Sequence, residues 1–253
     1  MESKPRVALL IDADNAPASK IDLILNELSS FGETNVRRAY GNWTSGHLKQ
    51  WSETLHAKAI KPIQQYDYTK GKNASDMAMV VDAMALLYTD RPDAFAIVSS
   101  DADFTPLVMH LREKGAAVYG FGEQKAPPPF VSACSRFLYL DQLAVPDEDD
   151  EDETEEVSPS RGTLRVPTAK LKQDAALVTL LRNAVQSAKD ETGWARIGHV
   201  GNHIANQSSF DSRNYGYASL SKLLKAVDLF EMRDEGTPTV AVRDKRKGKA
   251  ARG

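Results

Sequence analysis

The chain has 253 residues, 42% apolar and 26% charged, with a formal net charge of −3. That is an ordinary globular composition with room for two modest domains, and no apolar run approaches the roughly 18 residues that a membrane helix needs. The single cysteine, Cys134, excludes an intrachain disulfide framework and a multi-cysteine zinc site. Charge is unevenly divided: residues 1–146 carry −2, residues 147–156 carry −9 and residues 157–253 carry +8. Such asymmetry points toward a nucleic-acid partner. Residues 1–6 lead straight into an apolar run without signal-peptide architecture, so the expectation is a cytoplasmic protein with no membrane contact.

In chain order, residues 7–11 (Val-Ala-Leu-Leu-Ile) read as a strand buried on both faces. Ile21, Leu25 and Leu28 recur at helical spacing. Further strands are expected at 36–40, 59–63, 94–99, 117–121 and 137–140. Helices are expected at 47–55, 77–88 and 105–114. Alternating strands and helices predict an α/β fold, a mostly parallel sheet flanked by helices, with ligands at the carboxyl ends of the strands. Residues 147–156, nearly all Asp and Glu, repel one another and cannot bury apolar surface, so 147–168 reads as an acidic, disordered linker. After it, Leu177, Leu181, Ala184 and Ala188 share one helical face. Leu220, Leu223, Leu224 and Val227 share another, within an expected helix over 216–227. Residues 230–233 and 239–243 read as a hairpin. Helices followed by a two-stranded wing suggest a small winged helix-turn-helix domain over 169–245, and residues 246–253 read as a basic tail with phosphate affinity.

Acids gather where such a sheet has its ligand rim. Asp12 ends the first apolar strand, with Asp14 and Asn15 in the turn behind it. Asp101 follows the fourth strand directly, after Ser99 and Ser100, with Asp103 two residues on. Asp76 opens the third helix at the end of its apolar stripe of Val80, Ala83 and Leu87. Asp82, six residues further, points elsewhere and ranks second. Asp14 or Asp103 alone could be a helix N-cap, and Ser99 and Ser100 could bind phosphate or satisfy loop backbone. Together, Asp12, Asp76 and Asp101 converge on one edge, where mutual repulsion calls for a divalent cation. Hard oxygen ligands suit Mg²⁺ or Mn²⁺, which could activate water for phosphodiester hydrolysis. Trp43 could stack a base, and Lys70 and Lys72 could pair with phosphates.

Ile11-Asp12-Ala13-Asp14-Asn15, Ser75-Asp76 and Ser99-Ser100-Asp101-Ala102-Asp103-Phe104 together resemble the NYN domain, the PIN-like nuclease family also known as DUF88, with LabA and limkain relatives, over roughly residues 5–145. The resemblance implies a PIN-like, Rossmann-like fold and a metal-dependent ribonuclease site. It places Asp12, Asp76 and Asp101 at the acidic positions and as metal ligands, Asn15 at the polar position, and Asp103 in a supporting and metal-binding role; Asp14 and Asp82 stay open. PIN-like domains often pair, so a homodimer is a further expectation. Gly193-Trp194-Ala195-Arg196-Ile197-Gly198 and the stretch Arg213-Asn214-Tyr215-Gly216-Tyr217 through Leu224 resemble the LOTUS domain, also called OST-HTH, over roughly 170–245. That implies RNA recognition, with Arg196, Arg213, Tyr215, Lys222 and Lys225 as contacts, or a protein partner. The leading expectation is therefore an Mg²⁺- or Mn²⁺-dependent ribonuclease. The alternatives are an RNA-binding or adaptor protein without catalysis, and a haloacid-dehalogenase-type phosphatase using Asp12 covalently.

Overall fold

The computed structural model describes residues 4–66, 74–143, 165–237 and 239–248. Two compact units divide the chain, Met1–Asp141 and Gln142–Gly253. The acidic stretch 147–156, Lys70 and Lys72, and the tail from 249 onward lie outside the described residues.

In the first unit the elements run β1 (Arg6–Asp12), α1 (Ile21–Phe31), β2 (Glu33–Gly41), α2 (Lys49–Leu55), β3 (Lys61–Gln64), α3 (Ala74–Thr89), β4 (Ala94–Val98), α4 (Thr105–Glu113), β5 (Ala117–Gly122), α5 (Pro128–Ala133) and β6 (Arg136–Tyr139). The six strands form one sheet in the order β3-β2-β1-β4-β5-β6, and every neighbouring pair is parallel. This is the doubly wound order, whose strand sequence reverses between β1 and β4. The opening between the loops after those two strands is where a ligand can enter the rim.

The sheet is covered on both faces. Ala8 and Leu10 of β1, Tyr40 of β2, Phe95 and Ile97 of β4 and Val118 of β5 point to one side. They form a core with Met79, Ala83 and Leu86 of α3, Leu107, Val108 and Leu111 of α4, and Phe130 of α5. Their alternates, such as Leu9, Ile11, Ala96 and Val98, face the other side and are also fully buried. There Phe31, at the end of α1, stacks on Tyr119 of β5 at 4.2 Å between ring centroids. Burying Leu9, Leu10 and Ile11 contributes on the order of 1.5–3 kcal/mol each. That gain helps offset the penalty of a carboxylate at the next position, Asp12, which is 1% exposed.

Two departures from the sequence expectation have local reasons. β3 starts two residues late because Ala59 adopts a left-handed turn at φ 52°. α5 is an added helix that begins at a proline run; Pro suits a first helical turn, where its missing N–H has no partner to lose. On α3, Met77, Val81 and Tyr88 are exposed, so this helix is apolar on its outer side as well as its inner one.

The second unit contains α6 (Thr168–Gln173), α7 (Ala175–Ala188), β7 (Ala195–Arg196), α8 (Ile197–Gln207), α9 (Leu220–Val227), β8 (Phe230–Arg233), β9 (Ala241–Asp244) and α10 (Lys245–Gly248). β8 and β9 form an antiparallel hairpin, with β7 added at its edge. Leu177, Leu181, Ala184, Val200, Ile204, Leu223, Leu224 and Val227 close one core against this small sheet. Three packed helices followed by a hairpin are the winged-helix arrangement that the periodicity suggested. α9 is shorter than the expected 216–227. Gly216 takes a left-handed φ of 80° that ends a preceding 3-10 turn, and the Ser219 side chain then caps α9 by accepting from the Lys222 N–H. No described helix is long and apolar enough to cross a membrane.

Candidate functional site

The carboxyl end of β1 delivers Asp12 between the tips of β2 and β4. Its register partner is Tyr40, and the preceding Ile11 pairs with Val98. One carboxylate oxygen is fully used: Asp12 Oδ2 accepts from Ser99 Oγ at 2.8 Å and from Asn15 Nδ2 at 3.0 Å. The other, Oδ1, is buried and has no hydrogen-bond partner among the described residues. Burial raises the Asp12 pKa above its ordinary value, and the bonds from Ser99 and Asn15 pull it back only in part. A buried carboxylate oxygen without a donor is costly.

Asp76 stands in the first turn of α3, half-buried. Its pKa is pushed up to about 6, first by desolvation and then by Coulombic repulsion from Asp12, Asp101, Asp14 and Asp103. Four acids from the β1–α1 and β4–α4 turns therefore act electrostatically on this one carboxyl. Ser99 links the two turns, because its buried hydroxyl donates to Asp12 and accepts from the Asp101 N–H at 3.1 Å.

The group is nevertheless not a closed ligand set. Among the described residues, no three His, Cys, Asp or Glu side chains are arranged so that they could hold a metal ion as they stand. Two of the acids are partly turned to local partners. Asp12 Oδ2 is engaged as above, and Asp101 Oδ1 accepts from the Asp103 N–H at 2.9 Å. The cap of this turn is thus Asp101, not Asp103 as the capping alternative supposed. The donor chemistry still suits a hard divalent cation: all-oxygen acids, with one buried oxygen unsatisfied. A hydrated ion such as Mg²⁺, which keeps several of its waters, does not require every acid at direct ligand distance.

The remaining expected residues separate clearly. Asp14 caps no helix. Its Oδ2 accepts from Ser75 Oγ at 2.9 Å, and its Oδ1 lies 3.2 Å from His47 Nε2. Asp82 turns to other partners: it pairs with the Arg38 guanidinium and accepts from Tyr40 Oη at 2.5 Å. Burial and this contact raise the Tyr40 pKa, so Asp82 serves the packing of α3 on β2. The Ser99 hydroxyl is spent on Asp12, while Ser100 Oγ accepts from the Glu123 N–H at 2.8 Å and so holds the neighbouring loop. Trp43 is half-buried, and its indole N–H donates to the Ile63 carbonyl at 3.0 Å, which anchors the β2 tip to β3.

In the second unit, Arg213 is committed to the buried Asp211 through two parallel bonds of 2.9 Å. Tyr215 packs on the domain core and against Phe210. Lys225 pairs with Glu235 at 2.8 Å. Arg196 and Lys222 are exposed and enter no described ion pair. The sequence reading missed two features. His47 lies in a 3-10 turn, Gly46–Leu48, at the start of the expected helix over 47–55, where no local pattern points it toward Asp14. Trp194 lies under two guanidiniums, Arg233 at 4.7 Å and Arg243 at 4.6 Å from its ring centroid, a pairing made only when the hairpin folds back.

An open parallel sheet with clustered acids at its switch point defines a PIN-like α/β class. The profile of the NYN domain matches residues 6–141, more than half of the chain, and that of the OST-HTH/LOTUS domain matches residues 171–241. The chain belongs to the NYN domain family and carries an OST-HTH/LOTUS domain after it. An uncharacterized protein of Methanocaldococcus jannaschii is 30% identical over 132 residues, covering 51% of this chain and 50% of that protein. The chain thus spans about half the length of this curated relative. Among solved structures, a protein of unknown function from Vibrio parahaemolyticus is similar at 17% identity and a TM-score of 0.47, covering 55% of this chain and 94% of that one. An uncharacterized protein from Nitrosomonas europaea is similar at 24% identity and a TM-score of 0.24, covering 41% and 92%.

Proposed function

We propose that the first domain is a metal-dependent ribonuclease and that the second domain brings RNA to it. The observation that carries this reading is the buried, unpartnered Oδ1 of Asp12, set among acids that repel Asp76. Asp12, Asp76 and Asp101, with Asp103 in support, would hold Mg²⁺ or Mn²⁺. Bound there, the ion supplies water activation and charge neutralisation at the scissile phosphate. The chain's own residues do the rest. Ser99 and Asn15 fix the rotamer of Asp12 and leave Oδ1 directed away from them. Asp101 is fixed by its bond to the Asp103 N–H. The apolar β1 and β4 tips exclude water from behind the acids, which strengthens their field at the rim.

For the second domain, Arg196 and Lys222 are the candidates that stay exposed, while Lys225, on the same helix as Lys222, would have to leave Glu235 to meet a phosphate. They would supply phosphate affinity without sequence choice. Arg213 and Tyr215 would instead act through the fold.

Purified chain incubated with single-stranded and structured RNA tests this reading, in Mg²⁺, in Mn²⁺ and in EDTA. Cleavage in either metal is expected, with loss in EDTA and at least a hundredfold loss in Asp101→Asn. Cleavage at the wild-type rate in that variant would place the activity elsewhere. Hydrolysis of p-nitrophenyl phosphate without RNA cleavage would favour the phosphatase alternative.

A further inference from the structure

The acidic rim also carries an imidazole. His47 follows β2, and its side chain is 58% exposed. Nε2 lies 3.2 Å from Asp14 Oδ1, and Nδ1 lies 2.6 Å from Ser45 Oγ. Both ring nitrogens therefore face oxygen atoms, which fixes the plane of the ring. Asp14 is itself held in place. Ser75 donates to its other oxygen, and Ser75 precedes Asp76 at the start of α3. Ser75 of α3 thus holds one oxygen of this carboxylate, and the other oxygen orients one exposed imidazole. Asp14 is the charged group in contact with the ring. Behind it stand Asp12 and Asp76, both of which feel the charge of Asp14.

Ionised carboxylates only accept hydrogen bonds. Acids that ligate an ion are deprotonated; they can position an attacking water but hold no proton for a departing ribose oxygen. An exposed imidazole at the same rim can provide one, and proton transfer of this kind typically contributes 10²–10⁴-fold.

We infer that His47 is the proton donor to the leaving oxygen of the phosphodiester, with Asp14 as its positioning residue. The inference rests on the ribonuclease reading above. In the step, the water oxygen forms a new bond to phosphorus and the bond from phosphorus to the leaving ribose oxygen breaks. The electron pair of that bond passes to the ribose oxygen, which takes the proton from His47 Nδ1. The proton of the attacking water is released to solvent, and the ring regains its own from solvent. Ser45 Oγ marks where an oxygen can meet Nδ1, and rotation about its χ1 clears that place for substrate.

The test compares two substrates in the full-length chain. RNA needs its leaving oxygen protonated; bis(p-nitrophenyl) phosphate releases a phenolate that departs without a proton. His47→Gln keeps a polar group beside Asp14 and should melt within about 2 °C of wild type, as exposed substitutions do. RNA cleavage is expected to fall about 10²–10⁴-fold, with hydrolysis of the p-nitrophenyl diester within about threefold. In a pH profile of kcat/KM for RNA, wild type is expected to lose rate at high pH and the variant is not. An equal fall on both substrates, or no fall on RNA, overturns the role of His47. Asp12→Asn separates this from failure of the underlying reading. If that variant cleaves RNA like wild type, or if wild type does not cleave RNA, the ribonuclease assignment fails and takes the proton donor with it.

Discussion

Asp76→Asn should stabilise the first domain above neutral pH and leave it unchanged in acid. Folding raises the Asp76 pKa from 3.8 to about 6. In that interval the native state binds more protons than the unfolded chain, so stability falls as pH rises, and the deficit is complete above about pH 6. At about 1.36 kcal/mol per pH unit the shift corresponds to roughly 3 kcal/mol. Asp76 is partly exposed, and solvent screening reduces this to about 1–2 kcal/mol. Asparagine also forfeits about 0.5 kcal/mol of favourable interaction with the α3 dipole. The net gain is about 1 kcal/mol, or some 2–4 °C in melting temperature for a domain of this size. Differential scanning calorimetry of the two-domain chain in EDTA, at pH 4 and pH 7.5, reads it directly. The variant should melt higher at pH 7.5 and level with wild type at pH 4. Lower stability at pH 7.5, or a gain equal at both pH values, would refute the combined burial and repulsion that raise the Asp76 pKa.

Asp82→Asn should retain RNA cleavage within about threefold while lowering stability by about 1–2 kcal/mol, because it weakens the pairing with Arg38 and Tyr40; a hundredfold loss of cleavage would put Asp82 back in the site. Ser99→Ala removes a donor to Asp12 and leaves the Asp101 N–H without its partner, so urea denaturation should show a loss of about 2–3 kcal/mol. Leu223→Ala, in the core of the second domain, should destabilise that domain by about 2–5 kcal/mol and leave hydrolysis of a small diester substrate untouched, as calorimetry and a p-nitrophenyl assay would show. Saturating Mg²⁺ at about one hundred times its dissociation constant should raise the stability of the wild-type first domain by about 2.7 kcal/mol and that of Asp12→Asn far less.

The sheet was legible because its strands are buried on both faces and read as unbroken apolar runs, as residues 7–11 do. The main acids were legible for the same reason: Asp12 and Asp101 directly follow such runs, where a charge is out of place without a purpose. What was hidden depends on contacts between distant residues. No local pattern brings Arg38 and Tyr40 to Asp82 across 44 and 42 positions, or His47 to Asp14 across 33. The commitment of Arg213 to Asp211, two residues away, was hidden by a different ambiguity. A basic residue near aromatics reads equally well as an RNA contact or as half of a buried ion pair, and only the burial of Asp211 decides between them. Helix α5 escaped notice because a run of prolines normally argues against a helix, except at its first turn.

Anomalous diffraction from crystals soaked in Mn²⁺ would show whether these acids hold a divalent cation. A peak is expected beside Asp12 Oδ1, within reach of Asp76 and Asp101 directly or through water, and none in Asp12→Asn crystals soaked alike. A peak that persists in the variant, or Mn²⁺ bound only away from this rim, would contradict a cation held by these acids.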